Sequence, residues 1–344
     1  MKHKHNNQGF HLSFLVLAVA VLAVIGLVGW KVFSNNKSNT SSTAPSSGAQ
    51  NSASTTGKIS NIDTSKLSLD QSAATSDPIG DKNGPFFHSV YTATATDGIH
   101  FTATDNKIAE HASVPDVIKL PSGQLVFYAV DGGGRSKSGV LIGVSDDNGK
   151  TWKTGSAQFT SSQDGQAGAD PEAVMSDNGQ LRLYYVVFPS KPTPGQPPGT
   201  DTVNKVYSAT STDGIHFTQE QGVRFEYAQI TDPDVIKIGS TWFMYSAQGQ
   251  TQLYATSTDA GGSFSYKGVV RATGAVSKTV SLSDGSYRQF YCGKGGIVSE
   301  TSKDGINWNS GVVSLTSAAS QITCDPSPVQ LDTNNWLMVY KVSN

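Results

Sequence analysis

Beyond residue 85 the hydrophobic positions come in short runs rich in β-branched and aromatic residues, each bounded by polar turns. The runs Leu125–Val130, Leu181–Phe188, Trp242–Ala247, Tyr287–Cys292 and Trp336–Val342 have the composition of half-buried strands. Each follows a polar turn (Ser122-Gly123, Asn178-Gly179, Gly239-Ser240, Asp284-Gly285, Asn334-Asn335). Before those turns lie Val114–Leu120, Asp170–Val174, Asp232–Ile238, Val276–Leu282 and Asp325–Leu331, which pair with the runs as inner hairpins. A different turn alternates with these hairpins. It carries Asp and Gly and ends on an aromatic residue, at Ala95–Phe101, Ser145–Trp152, Ser211–Phe217, Ser257–Phe264 and Ser302–Trp308.

A repeat of roughly 45–65 residues with strand signals in every copy predicts a ring or a stack, and four strands per copy predict propeller blades. Five copies predict a five-bladed β-propeller. The chain enters on an outer hairpin, Ser89–Thr104, that lacks an inner partner, and leaves on an inner hairpin, Asp325–Val342, that lacks an outer one. Joining the two completes a blade and hides the edges of an open stack. No 3.6-residue periodicity of any length appears after residue 40, so the class is all-β.

Ahead of the propeller, Leu12–Trp30 is an uncharged apolar run of the length that spans a bilayer core. Lys2 and Lys4 precede it and favour a cytoplasmic N-terminus. A cleaved signal peptide is the alternative, but the run is long for one and no Ala-x-Ala site closely follows. The expected organisation is a cytoplasmic N-terminus over 1–11, one transmembrane helix over 12–33, a disordered Ser/Thr-rich linker over 34–84 and the propeller over 85–344. That places the propeller outside the cytoplasm, on the cell membrane. The net charge of −2 and the lack of basic strips exclude nucleic acid as a partner. The expected state is a monomer. Cys292 and Cys324 sit on one face of the ring, either bridged in an oxidising compartment or as two free thiols.

Ser145–Trp152 resembles the Asp-box turn of sialidases and other propellers, and the resemblance implies a structural role away from the ligand face. Arg135, Arg182, Arg224, Arg271 and Arg288 are scattered and supply no carboxylate-binding cluster of the sialidase kind.

The starts of the inner strands carry the candidate chemistry. Asp-Pro steps direct Asp170, Asp232 and Asp325 to one funnel, with Asp116, Glu172 and Asp234 two residues into their strands. Converging carboxylates are what acid–base cleavage of a glycosidic bond requires. With five blades and Asp-Pro inner strands over residues 88–344, the chain resembles the glycoside hydrolase superfamily of arabinanases, xylosidases, levansucrases and invertases. That resemblance implies a base Asp, an auxiliary Asp two blades on and an acid Glu in the next blade. Val114 and Val276 depart from it in blades one and four. A rotated set restores the spacing: Asp325, Asp170, and Asp232 or Glu226, with Asp116, Glu172, Asp234 and Arg135 as substrate-binding candidates. Asp-Pro is equally a means of starting a strand. The two readings are a surface-tethered glycoside hydrolase and a non-catalytic propeller that binds a cell-surface polysaccharide or protein. No cofactor is expected; Ca²⁺ in the central channel is the alternative.

Overall fold

The computed structural model describes residues 57–343 apart from 79, 161–167, 189–201 and 319. The chain enters the ring on β1 (His88–Ala95) and β2 (Thr102–Glu110). Blade I follows as β3 (Ala112–Lys119), β4 (Leu125–Asp131), β5 (Val140–Ser145) and β6 (Lys153–Ser156). After the short β7 (Gln158–Phe159), blade II runs β8 (Ala169–Met175), β9 (Leu181–Val187) and β10 (Val203–Ser211), with its outer strand split into β11 (His216–Gln219) and β12 (Phe225–Ala228). Blade III is β13 (Thr231–Ile238), β14 (Thr241–Gln248), β15 (Thr251–Ser257) and β16 (Ser265–Arg271). Blade IV is β17 (Ala275–Ser281), β18 (Tyr287–Gly293), β19 (Gly296–Ser302) and β20 (Val312–Thr316). The chain ends on β21 (Ile322–Asp332) and β22 (Asn335–Ser343).

The closing blade has the order β2-β1-β22-β21, so strands from both ends of the propeller share one sheet. β1 and β22 pair in unbroken register from His88↔Ser343 to Ala95↔Trp336. The all-β, five-bladed, N-to-C-closed architecture is therefore the observed one.

Apolar side chains from facing blades pack in the seams, as in the cluster of Tyr128, Ile142, Leu183, Tyr207 and Phe217 between blades I and II. Three seams share one polar latch. Tyr128, Tyr184 and Tyr245 stand at equivalent points of their second strands. Their hydroxyls donate to the carbonyls of Gly214, Gly261 and Gly305, each in the outer turn of the next blade, at 2.7, 3.0 and 2.7 Å. In the outer turns a serine and an aspartate tie the backbone: Gly149 N–H donates to Ser145 Oγ and Thr151 N–H to Asp147 Oδ1, both at 2.9 Å. The Thr151 hydroxyl and the turn amides hold the Asp147 carboxyl down at about 2.

The linker expected over 34–84 is corrected in its second half. Residues 57–78 form a strap up the outside of the seam between blades I and II. Ile59 and Ile62 are each 2 % exposed and Leu67 joins them in the same core cluster. The strap starts at the turn face, where Ile59 N–H donates to Gly179 O and the Ile62 amide bonds Gln124 Oε1. It ends at the opposite face, where Ala74 N–H donates to Gly133 O. Three apolar anchors and these backbone bonds offset the ordering entropy that the polar composition alone does not. Among the described residues no helix is long and apolar enough to cross a membrane; the anchor expected over 12–33 lies outside them.

Candidate functional site

Every first strand begins with the same irregularity. The ladders slip between Ser113 and Asp116, Ala169 and Glu172, Thr231 and Asp234, Ala275 and Ser277, and Cys324 and Ser327. At each slip one residue takes a left-handed backbone: Val114 (φ 48°), Asp170 (50°), Asp232 (49°), Val276 (60°) and Asp325 (51°). Such a β-bulge turns a side chain out of the ladder, here toward the axis. For a β-branched valine this backbone is strained, and five-fold repetition shows that ring geometry imposes it. The five residues form an upper ring around the channel mouth, and those two positions on form a ring below: Asp116, Glu172, Asp234, Lys278 and Ser327.

The lower ring is a hydrogen-bonded belt. Asp116 Oδ2 accepts the Ala173 amide at 2.7 Å, Glu172 Oε1 the Val235 amide at 3.0 Å and Asp234 Oδ1 the Thr279 amide at 3.0 Å. Ser327 Oγ accepts the Val117 amide at 2.8 Å. Each bond crosses one seam. At the fifth seam the acceptor is replaced by Lys278, and the residue that would donate is Pro328, which has no N–H. Lys278 instead reaches across the channel to Asp116 at 2.6 Å and Glu172 at 2.8 Å. Burial opposes its charge, but Asp116, Glu172 and Asp234 outweigh it and hold the ammonium above its ordinary pKa. Burial first, and Asp116 second, raise Glu172 well above the carboxylate range, and burial also raises Asp234.

The upper ring is less satisfied. Asp325 pairs with Lys341 at 2.9 Å, and its Oδ2 accepts the Val114 amide at 3.3 Å. Asp170 Oδ2 accepts the Asp232 amide at 3.4 Å. Asp232 Oδ2 is buried without a partner. Burial, then repulsion from Asp325, pushes Asp232 up to about 7, and burial with repulsion from Asp232 raises Asp170 well above its usual range. A cavity of about 30 Å³ opens between the two rings and the mouth. That is room for water beside the carboxylates.

Of the residues singled out from the sequence, Asp170, Asp232 and Asp325 meet at this mouth. Glu226 does not. It is exposed on β12, opposite Lys205, away from the cavity. Its aromatic neighbours Phe225 and Tyr227 project to the other side of the strand, because side chains alternate with period two. Asp116 and Glu172 line the cavity floor but spend their oxygens on the belt, and Asp234 lies within the belt at 0 % exposure. Arg135 is committed to Asp131 at 3.0 Å and to the carbonyls of Glu110 and His111. Lys278 and Lys341 had not been singled out. For Lys278 the signal lies in the sequence: it occupies a repeat position held elsewhere by Asp, Glu, Asp and Ser.

The ring defines a class, the five-bladed β-propeller that glycoside hydrolases also use. Within it the chain is similar to a Dyadobacter fermentans protein of unknown function, at 12 % identity and TM-score 0.52, over 83 % of this chain and 98 % of that one. It is also similar to a thermostable family-43 glycoside hydrolase, at 14 % identity and TM-score 0.50, over 67 % of this chain and 88 % of that one. A looser match is a family-117 glycoside hydrolase of Zobellia galactanivorans, at 14 % identity and TM-score 0.47, over 75 % and 91 % of the two chains. No family model and no curated protein matches the chain. At these identities the likeness is one of fold.

Proposed function

We propose that the protein is a carbohydrate-active propeller that hydrolyses glycosidic bonds of an envelope polysaccharide, tethered through Leu12–Trp30 with the ring outside the membrane. One observation carries the catalytic reading: three carboxylates from three blades share one mouth, one of them ion-paired to a lysine and another buried with an unpartnered oxygen. Asp232, near 7 and with a free buried oxygen, is the acid that protonates the leaving oxygen. Asp325, ion-paired to Lys341, is the carboxylate that activates water or attacks the sugar. Asp170, in blade II, lies beside Asp232, and burial with repulsion from Asp232 raises it well above its usual range. No glutamate is required, because Asp232 occupies the place expected of one.

The test is reducing-sugar release by the full chain in detergent from arabinan, xylan and fructan. Asp232→Asn and Asp325→Asn each lower the rate by about 10²–10⁴-fold while glycan binding persists. If the unsubstituted protein binds one of these glycans but cleaves none, the propeller is a non-catalytic glycan binder.

A further inference from the structure

The Cys292–Cys324 bridge lies against the proposed site and joins the end of β18 to the residue before Asp325. The Asp325 amide donates to Cys292 Sγ at 3.1 Å, and both sulfurs lie within 4.8 Å of an Asp325 carboxylate oxygen. Lys341, the ion-pair partner of Asp325, is also the cross-strand neighbour of Cys324. The bridge, the carboxylate and the ammonium thus form one cluster at the seam between blade IV and the closing blade. Among the described residues the other titratable groups facing it are Asp170 and Asp232 across the mouth and His88, buried beside Lys341.

We propose that this disulfide is a positioning element for Asp325, which makes the site competent only after oxidation outside the cytoplasm. The inference rests on the hydrolase reading above. In the bridge neither sulfur carries a proton, so the pair only accepts from the Asp325 amide. Reduction adds two electrons and two protons and creates two S–H donors beside the carboxylate. Those donors compete with Lys341 and the Val114 amide for its oxygens, and Cys324 is released from β18. The left-handed backbone at Asp325 then loses its covalent hold on one side. Before export the thiols leave the carboxylate unset. After export, exchange with an oxidised dithiol of the envelope takes up the two electrons and two protons and sets it. An envelope hydrolase built this way is silent until it reaches its polysaccharide.

Two measurements on the full chain test the proposal. First, the protein is reduced with dithiothreitol, which closes to its cyclic disulfide, and is desalted before alkylation with iodoacetamide at pH 7. The thiolate reacts, so the rate reports the field of the cluster. Asp325→Asn leaves Lys341 unopposed and raises the alkylation rate about tenfold per pKa unit, and Lys341→Met lowers it. Equal rates in all three proteins overturn the coupling, whatever the enzyme does. Second, hydrolysis is compared in oxidised protein, reduced protein and the Cys292→Ser/Cys324→Ser double variant, each confirmed folded by circular dichroism. The expected result is a fall in kcat of tenfold or more with KM little changed, reversed on reoxidation in the reduced protein but not in the double variant. Unchanged kcat in folded reduced protein overturns the positioning role. Absence of hydrolysis in the oxidised protein sinks the catalytic reading instead, and the alkylation rates still decide whether the cluster is coupled.

Discussion

Replacing Lys278 by Met removes the one cation of the lower ring. The side chain is 12 % exposed and its partners Asp116 and Glu172 are 5 % and 4 % exposed, so the loss leaves two carboxylates without a counter-charge in a nearly dry channel. Breaking a buried pair from one side costs about 3–5 kcal/mol. At about 2–4 °C per kcal/mol for a domain approaching this size, the expected fall in Tm is roughly 6–20 °C. The deficit depends on pH. Burial already holds Glu172 above its ordinary value and Lys278 opposes that rise, so without the lysine its folded-state pKa lies further above the unfolded one and the folded ring binds more protons than the unfolded chain. Stability then falls as pH rises through that folded value and recovers on acidification. Lys278→Met should therefore be weakest above neutrality and closest to wild type near pH 5. Adding Glu172→Gln should return part of the loss. Differential scanning calorimetry across that range checks the sequence of effects. A Tm within about 2 °C of wild type at every pH would show that the channel is hydrated and that the lysine holds nothing together.

The same linkage operates in the wild-type upper ring. Asp232 is raised from 3.8 to about 7, so its contribution to stability is full below 3.8 and is lost as pH climbs through 7. Asp232→Asn should flatten the wild-type decline in Tm between pH 4 and 8, and an unchanged slope would place the titration elsewhere. Tyr245→Phe removes the donor to the Gly305 carbonyl and leaves that oxygen unpaired, lowering the urea-derived stability by about 1–3 kcal/mol. Gly214→Ala puts a Cβ 2.3 Å from Ile62 at a φ of +74°, so the strap should lift and its 57–78 segment become cleavable by trypsin at Lys58 and Lys66 under native conditions. Unchanged protection there would mean the strap yields without detaching.

The ring was legible in the sequence because its signals are local and repeated. The outer turns, the Asp-Pro starts and the unpaired hairpins at the two ends each lie within a few residues, and five copies remove the ambiguity of any one. The mouth carboxylates Asp170, Asp232 and Asp325 were legible for the same reason. What escaped depends on contacts between copies. The belt is invisible until Asp116 is seen beside the amide of Ala173, and the pairing of Lys278 with the missing donor of Pro328 exists only across a seam. The strap escaped because Ile59, Ile62 and Leu67 are diluted in a polar stretch, and averaging over 34–84 conceals three anchors within nine residues. Glu226 was misjudged for a simpler reason. Aromatic neighbours in sequence suggested a desolvated carboxyl, whereas strand alternation sends them to the core and the carboxyl to water.

The path of the strap fixes how the domain is held. Residue 57 leaves the body at the face of the turns, beside Gly179 and Gly214, whereas the Asp-Pro mouth opens on the far face. Whatever precedes residue 57 therefore attaches at the back of the disc, and its mouth is aimed away from the point of attachment. A pull along the chain would first act on Ile59 and Ile62, shearing them along the seam between blades I and II. The two seams beyond those that flank these blades, III–IV with its Tyr245 latch and IV–closing blade with its disulfide, are mechanically shielded from that load.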